Sequence, residues 1–132
     1  MIRVFKSKQI RQQLTDIELD ALVKDFKRYK SGEGVPDLFG RDERYDHPDT
    51  FPVLRDNEVM HLHLQDPDEP WPLHCIQFAK KSDTHLVYCP AAMTPNCYLL
   101  MIILDPPAHN KAWSSAVMLP LGTMAEKFRN KY

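Results

Sequence analysis

The 132-residue sequence lacks most of the features that mark membrane, secreted and disordered proteins. Its longest apolar run, residues 99–104, is too short to cross a bilayer, and no apolar stretch follows Arg3 and Lys6 as it would in a signal peptide. The three cysteines are an odd number and form no C-x-x-C pair, so neither a disulfide framework nor a thiolate zinc site is predicted. We therefore expect a cytoplasmic protein with reduced cysteines and no membrane partner.

The sequence also lacks a strong charge of one sign. The formal net charge is −1, which argues against a protein that coats nucleic acid non-specifically. Basic residues outnumber acidic ones by eight to four in residues 1–30 and by six to three in residues 73–132. Acidic residues prevail by eleven to three in residues 31–72. A folded chain can therefore have a basic side and an acidic side.

Periodic patterns predict a series of helices and strands. A capping box at Thr15 and Glu18 begins an amphipathic helix over residues 15–30. The other predicted elements are a strand at 2–5, a helix at 7–14, strands at 59–64, 85–89 and 97–104, and a short helix at 123–132. Residues 31–57 are predicted to be a long loop, functional or disordered, whose aromatic residues favour order.

This order of elements favours one α+β domain that spans residues 1–132. Strands joined by short connections usually pair antiparallel. The apolar run at 97–104 suits a central strand that is buried on both faces. We expect the N-terminal strand and a helical hairpin, with its helices on one sheet face, to pack on a mostly antiparallel sheet, followed by a short C-terminal helix.

Histidine stands out chemically, because the pKa of a free imidazole suits proton transfer near neutrality. In the strand at 59–64, His61 and His63 alternate with apolar residues and share the opposite face, which we expect to face solvent. His85 begins the next strand and His109 follows the central strand. If these strands are neighbours, the four imidazoles can line one open face.

Other kinds of site have less support. His47 and His74 lie in irregular segments, and we expect them to be structural or merely exposed. Four histidines can bind a metal, but no H-E-x-x-H motif or fixed carboxylate supports one, so no cofactor is predicted. No G-x-S-x-G motif predicts a serine nucleophile, and Cys89 and Cys97 lie in apolar runs that favour packing.

Several basic side chains can contact phosphates. Arg41 and Arg44 are embedded with aromatic residues in the segment 31–57, and a functional role is favoured for both. Lys80, Lys81 and Arg129 of the terminal helix are further candidates, for which solvated surface is the alternative.

Six stretches resemble the YafO family of toxins from bacterial toxin–antitoxin pairs. They are residues 2–5 and 14–22, Pro-Asp-Leu-Phe-Gly-Arg-Asp at 36–42, His-Leu-His-Leu at 61–64, His-Leu-Val-Tyr-Cys at 85–89, and Met-Ala-Glu-Lys-Phe-Arg at 124–129. The resemblance covers nearly the whole chain in one order. It implies an mRNA interferase that depends on the ribosome, with mRNA, the ribosome and a cognate antitoxin as its partners.

The strand order also resembles the wider RelE-like fold. Toxins of that fold place two basic residues at alternate positions of the second strand, where this chain has His61 and His63. They place another at the start of the following x-L-V-Y strand, here His85, and a further one after the last strand, at or near His109 and Lys111. RelE itself has lysine and arginine at most of these positions. Histidines favour proton transfer over electrostatic stabilisation.

The resemblance implies attack of an RNA 2′-hydroxyl on the adjacent phosphodiester and loss of a 5′-hydroxyl. One imidazole of the pair at 61 and 63 would act as the base, and His85 or His109 as the acid or as a charge partner of the phosphate. RelE-like toxins also use a group near the chain end, for which Tyr132 is a candidate. Two alternatives stay open: a non-catalytic module that binds a regulatory partner, and a metal-dependent hydrolase.

Overall fold

The computed structural model describes all 132 residues, and its helices and strands are arranged around one sheet. The elements, in chain order, are β1 (Arg3–Lys6), α1 (Lys8–Gln13), α2 (Asp16–Lys30), β2 (Phe39–Arg44), α3 (Pro52–Asp56), β3 (Met60–Leu64), β4 (His85–Pro90), β5 (Cys97–Leu104), α4 (Ala108–Lys111) and α5 (Ser115–Lys131). A single 3-10 turn, Gln77–Ala79, lies between β3 and β4. None of the helices combines the length and the apolar composition that a membrane span requires.

The five strands form a mixed sheet in the order β1-β5-β4-β3-β2. The predicted antiparallel pairing of β3, β4 and β5 as consecutive neighbours is confirmed, and β5 lies in the interior of the sheet. β1 pairs with β5 in parallel, which the long crossover through α1, α2 and the following strands permits. The predicted α+β class is therefore confirmed, and the architecture is consistent with a RelE-like fold.

Helices cover both faces of this sheet. The capping box predicted at Thr15 is present, and α1 and α2 pack on one face through Ile10, Leu22 and Phe26, as expected for the helical hairpin. The helices are not all on one face, however, because α3 and α5 pack on the other through Leu54 and Met118. Each face therefore has its own hydrophobic core.

The C-terminal helix is longer than the sequence indicates. It begins at Ser115 rather than at residue 123, because its buried residues pack against the sheet and stabilise a segment that contains Pro120. Gly122 allows this helix to approach α3 closely, since a Cβ at that position would overlap the side chain of Val53. Proline and glycine obscured the helical periodicity in the sequence.

The predicted loop at 31–57 contains an edge strand, β2, that sequence periodicity missed. A β-bulge interrupts its alternation: Phe39 pairs with Leu64 and Asp42 with Leu62, so three residues on β2 span two on β3. Gly40 lies in the bulge. A residue with a side chain would not fit there, because its Cβ would overlap the carbonyl oxygen of Lys80. The extra residue places Arg41 on the face of the sheet opposite to Phe39.

Segment 77–80 covers the outer edge of β2. The Arg41 amide donates a hydrogen bond to the carbonyl oxygen of Lys80 at 2.8 Å. The Gln77 side chain donates to the carbonyl oxygen of Gly40 at 2.9 Å, and Arg41 Nε donates to that of Phe78 at 2.6 Å. These bonds satisfy an edge that would otherwise be open to other strands.

Replacing Gly40 by alanine should displace segment 77–80 and break the bond between Arg41 and Lys80. We expect a loss of about 2–3 kcal/mol in the free energy of unfolding, measured by urea denaturation. The matched control is Gly34→Ala, where nothing lies within 4 Å of the new Cβ and φ is +104°. Only backbone strain of about 1 kcal/mol applies there. Equal losses in both variants would contradict the close approach at Gly40.

Candidate functional site

Three imidazoles lie together on the sheet face that α5 covers. β3 and β4 pair so that His63 lies directly opposite His85. The ring centroids are 4.3 Å apart for His63 and His85, 5.2 Å for His61 and His85, and 5.6 Å for His61 and His63. We call these three residues the imidazole cluster. The sequence predicted the shared face, and the pairing of β3 with β4 supplies the contact.

The imidazole cluster is buried, which corrects the expectation that these histidines face solvent. His85 is 4% exposed and His63 is 7% exposed, while the His61 side chain is 14% exposed. Tyr45, which follows β2, stacks on His61 with a centroid distance of 4.3 Å and an interplanar angle of 21°. The covering groups come from segments whose structure the sequence did not reveal.

The backbone of Ser82 fixes the orientation of two imidazoles. Its amide donates a hydrogen bond to His63 Nδ1 at 2.8 Å, and its carbonyl oxygen lies 3.0 Å from His85 Nε2. Because a carbonyl oxygen only accepts, His85 carries its proton on Nε2 and Nδ1 is a bare acceptor. Neutral His63 likewise carries its proton on Nε2. No side-chain pattern reveals a role of this kind, so sequence reasoning missed Ser82.

Three polar atoms at this site are buried without a hydrogen-bond partner: the Tyr45 hydroxyl, His61 Nδ1 and His85 Nδ1. Nearly all buried polar groups in folded proteins are paired, so three orphans in one cluster require an explanation. Destabilised groups of this kind concentrate where a protein does chemistry or binds a ligand.

Burial sets the protonation state of the imidazole cluster. It lowers the pKa of His61 to about 3, with the charges of His85 and His63 as further causes. It lowers the pKa of His63 to about 4, where His85 again adds to the effect, and it also lowers the pKa of His85. The three imidazoles are therefore neutral at pH 7, and do not titrate at the ordinary pKa near 6.5 that we expected.

Arg41 supplies a permanent positive charge beside the cluster. Its guanidinium lies 3.7 Å from the Phe78 ring centroid and 3.5 Å from a Glu43 carboxylate oxygen. Its charge helps to lower the pKa values of both His61 and His63, and the exposed Lys81 has the same effect on His63. Glu43 in turn lies 3.9 Å from His61 Nε2.

His109 lies at the rim, where the chain enters α4. Its amide donates a hydrogen bond to Asp83 Oδ1 at 2.9 Å, which ties this segment to the loop before β4. The His109 side chain is exposed, and its charge contributes to lowering the pKa of His85. Lys111 follows on the same short helix. The structure thus brings the fourth predicted histidine to the cluster.

Other basic candidates lie farther away or are already paired. Arg44 binds Glu58 at 2.7 Å, and Arg129 binds the same carboxylate at 2.9 Å. Arg129 also donates to the carbonyl oxygen of Pro90, at the opposite end of β4 from His85 and about 16 Å away along the strand. Lys80 contributes its carbonyl oxygen to the β2 edge.

Tyr132 lies outside the site. Its ring centroid lies 4.7 Å from that of Phe5 on the β1 edge of the sheet, and β5 separates β1 from β4, which carries His85, the nearest of the imidazole cluster along the sheet.

An open pocket of about 210 Å³ leads from the surface to His61 and His85. His109, His47 and Trp113 are among the other residues that line it. His47, which we expected to be structural or merely exposed, is exposed and packs edge-on to Trp113 at 5.1 Å. His74 is exposed in the loop before β4. No group of three or more His, Cys, Asp or Glu side chains has a geometry that could hold a metal ion.

The chain matches known toxins. A family model described as Toxin YafO, type II toxin–antitoxin system, matches residues 27–130. A relative from Escherichia coli (strain K12), named mRNA interferase toxin YafO, is 44% identical over 132 residues, which cover 99% of this chain and 100% of the relative. No solved structure matches the chain.

Together with the α+β fold, these matches define a toxin of the type II class, whose partner is an antitoxin. Within that class, the chain belongs to the YafO toxin family. The predicted resemblance to the YafO family is thereby confirmed.

Lowering the pH should destabilise the protein through the imidazole cluster. Because the folded-state pKa of His63 is lowered, the unfolded chain binds more protons between about pH 6.5 and pH 4. The stabilising contribution is present above pH 6.5 and is lost as the pH falls. We expect His63→Asn, which retains an acceptor for the Ser82 amide, to weaken the pH dependence by about 2 kcal/mol between pH 7 and pH 5.

Urea denaturation at the two pH values measures this difference. His74→Asn is the control, because His74 is exposed and Asn tolerates its positive φ of 60°. An unchanged pH dependence in His63→Asn would show that the native state does not hold His63 neutral.

Proposed function

We propose that this chain is an endoribonuclease, an mRNA interferase that cleaves mRNA on the ribosome and so inhibits translation. The observation that carries the proposal is the imidazole cluster with unpaired ring nitrogens beside Arg41. Membership in a toxin family and the printed name of the relative support the same activity. The cognate antitoxin would hold the toxin inactive, and we expect it to act in the cytoplasm.

The proposed reaction is attack of a ribose 2′-hydroxyl on the adjacent phosphorus. The 2′-oxygen forms a new bond to phosphorus, the bond to the 5′-oxygen breaks, and the product is a 2′,3′-cyclic phosphate with a free 5′-hydroxyl. A base must remove the proton of the 2′-hydroxyl, and an acid must protonate the leaving oxygen. Neutral and cationic imidazoles can perform these two tasks.

His61 is the preferred base. It lines the pocket, whereas His63 is buried outside the pocket and its Nδ1 is occupied by the Ser82 amide. His109 is the preferred acid, because it lies exposed at the pocket rim beside His85. In this assignment His63 and His85 position the reacting groups and contact the phosphate.

Substrate binding itself would adjust the proton affinities. An RNA phosphate beside the imidazole cluster favours the charged form of each histidine, so its arrival raises the lowered pKa values. Arg41 stays charged throughout and can stabilise the phosphorane as charge develops on its oxygens. Lys80, Lys81 and Lys111 would hold flanking phosphates, while Arg44 and Arg129 would first have to leave Glu58.

Replacing His61 by asparagine should lower the rate of mRNA cleavage by roughly 10²- to 10⁴-fold, because a proton-transfer group is lost. The measurements are growth arrest on expression and cleavage of ribosome-bound mRNA. His74→Asn is the matched control, and retained antitoxin binding shows that the variant folds. Full toxicity of His61→Asn would contradict the assignment.

His61→Lys separates charge from proton transfer, because the pKa of lysine is about 10.4 in place of about 6.5. A lysine variant that cleaves as well as the parent would show that charge alone is required. Growth arrest without mRNA cleavage would favour the non-catalytic module, and elemental analysis of the purified toxin tests the metal-dependent alternative.

Removing the Arg41 charge should alter both rate and pH dependence. We expect Arg41→Gln to reduce cleavage by roughly 10²-fold, because a donor to the developing negative charge is lost. The acidic limb of the pH–rate profile should also move to higher pH, since Arg41 lowers the pKa values of His61 and His63. Arg55→Gln is the control, because Arg55 is exposed on α3. A lower rate with an unchanged pH–rate profile would show that the charge of Arg41 does not affect the pKa values of the histidines.

A further inference from the structure

The pocket beside the imidazole cluster has features that acid–base chemistry does not require. Trp113 lies in the turn between α4 and α5, lines the pocket and is 46% exposed. His47 covers it edge-on, with an angle of 84° between the two rings. Aromatic faces of this kind serve as stacking platforms for unpaired bases in proteins that bind single-stranded RNA.

The charges on the pocket walls differ from those on the other side of the imidazole cluster. Arg41 and Lys81 act on His63, which does not line the pocket. Glu43, Asp46 and Arg44 do line it. Arg44 is paired with Glu58, whereas Asp46 is exposed and forms no ion pair. A free carboxylate repels a phosphate but accepts hydrogen bonds from the amino groups of a neutral base.

We propose that this pocket is a nucleobase subsite, in which a base next to the scissile phosphate stacks on Trp113 and its exocyclic amino group donates a hydrogen bond to Asp46. The inference rests on the proposed function, because it names the part of the RNA that this site receives. The phosphate would then lie between the pocket and Arg41, within reach of His61 and His85, which border both. Uracil, which has a carbonyl group where cytosine has the amino group, should bind more weakly.

The size of the pocket agrees with this assignment. Its volume of about 210 Å³ is smaller than the roughly 300–1,000 Å³ of pockets that enclose drug-sized ligands. One planar base therefore matches the space better than an extended oligonucleotide. The bonds from the amides of Ala108 and His109 to Asp83 hold the segment that leads to Trp113 in place.

A binding experiment tests the subsite without relying on catalysis. Cytidine 3′-monophosphate and uridine 3′-monophosphate are titrated into the full chain, and tryptophan fluorescence is followed. Stacking should quench Trp113, the quenching should disappear in Trp113→Phe, and cytidine should bind several-fold more tightly than uridine. Asp46→Asn should remove that preference, whereas Asp56→Asn on α3 should leave it unchanged. Absence of quenching, or quenching that persists in Trp113→Phe, overturns the proposal, and equal binding of the two nucleotides overturns the role of Asp46.

Cleavage of ribosome-bound mRNA provides the second test. Trp113→Ala should raise KM by roughly tenfold or more, as expected for the loss of one stacked base, and should change the distribution of cut sites. Leu119→Ala is the control, because Leu119 is 44% exposed on α5 and does not line the pocket. If the parent cleaves and Trp113→Ala has an unchanged KM and cut pattern, the subsite is wrong and the proposed function stands. If the parent does not cleave, the proposed function fails, and the nucleotide titration decides whether the pocket binds a base.

Discussion

The register between β3 and β4 is the constraint on which the site depends. It pairs His63 with His85 on one face and Leu62 with Leu86 on the other, where α2 covers the leucines. A slip of one residue would exchange the two sets and place imidazoles in the apolar core. The hydrophobic core under α2 therefore fixes the geometry of the histidines, although they lie on the opposite side of the sheet.

The imidazole cluster is stable only while it is uncharged. Three cationic rings with centroids 4.3–5.6 Å apart would repel one another, and burial adds a desolvation cost to each charge. Histidine can be buried neutral, and in the proposed reaction it accepts a proton when the substrate phosphate raises its pKa. Lysine or arginine would bring fixed charges into the same space. The unpaired ring nitrogens of His61 and His85 destabilise the folded protein, because a buried acceptor without a partner loses its hydrogen bond to water.

Sequence patterns predicted the elements whose signals are local. The alternation in β3, the apolar run of β5 and the capping box of α2 each follow from side chains within one segment, and they also placed His61 and His63 on one face. The burial of these histidines was not predictable, because Tyr45, which covers His61, comes from a segment outside the predicted strands. The bulge at Gly40 breaks the alternation of β2, and Ser82 acts through backbone atoms that every residue has. Long-range packing therefore determined the part of the site that sequence reasoning missed.

The position of Arg41 depends on contacts that its neighbour makes on the opposite face. Asp42 accepts hydrogen bonds from the hydroxyls of Tyr88 at 2.8 Å and Tyr29 at 2.7 Å, and Lys30 lies 3.5 Å away. This network offsets the cost of burying a carboxylate and anchors the edge strand to α2 and β4. The bulge turns Arg41 to the other face directly before Asp42. The anchored strand therefore fixes the position of the guanidinium on the face that carries the histidines. On one face of β2, Asp42 thus anchors the strand, and on the other face Arg41 supplies the positive charge beside the imidazole cluster.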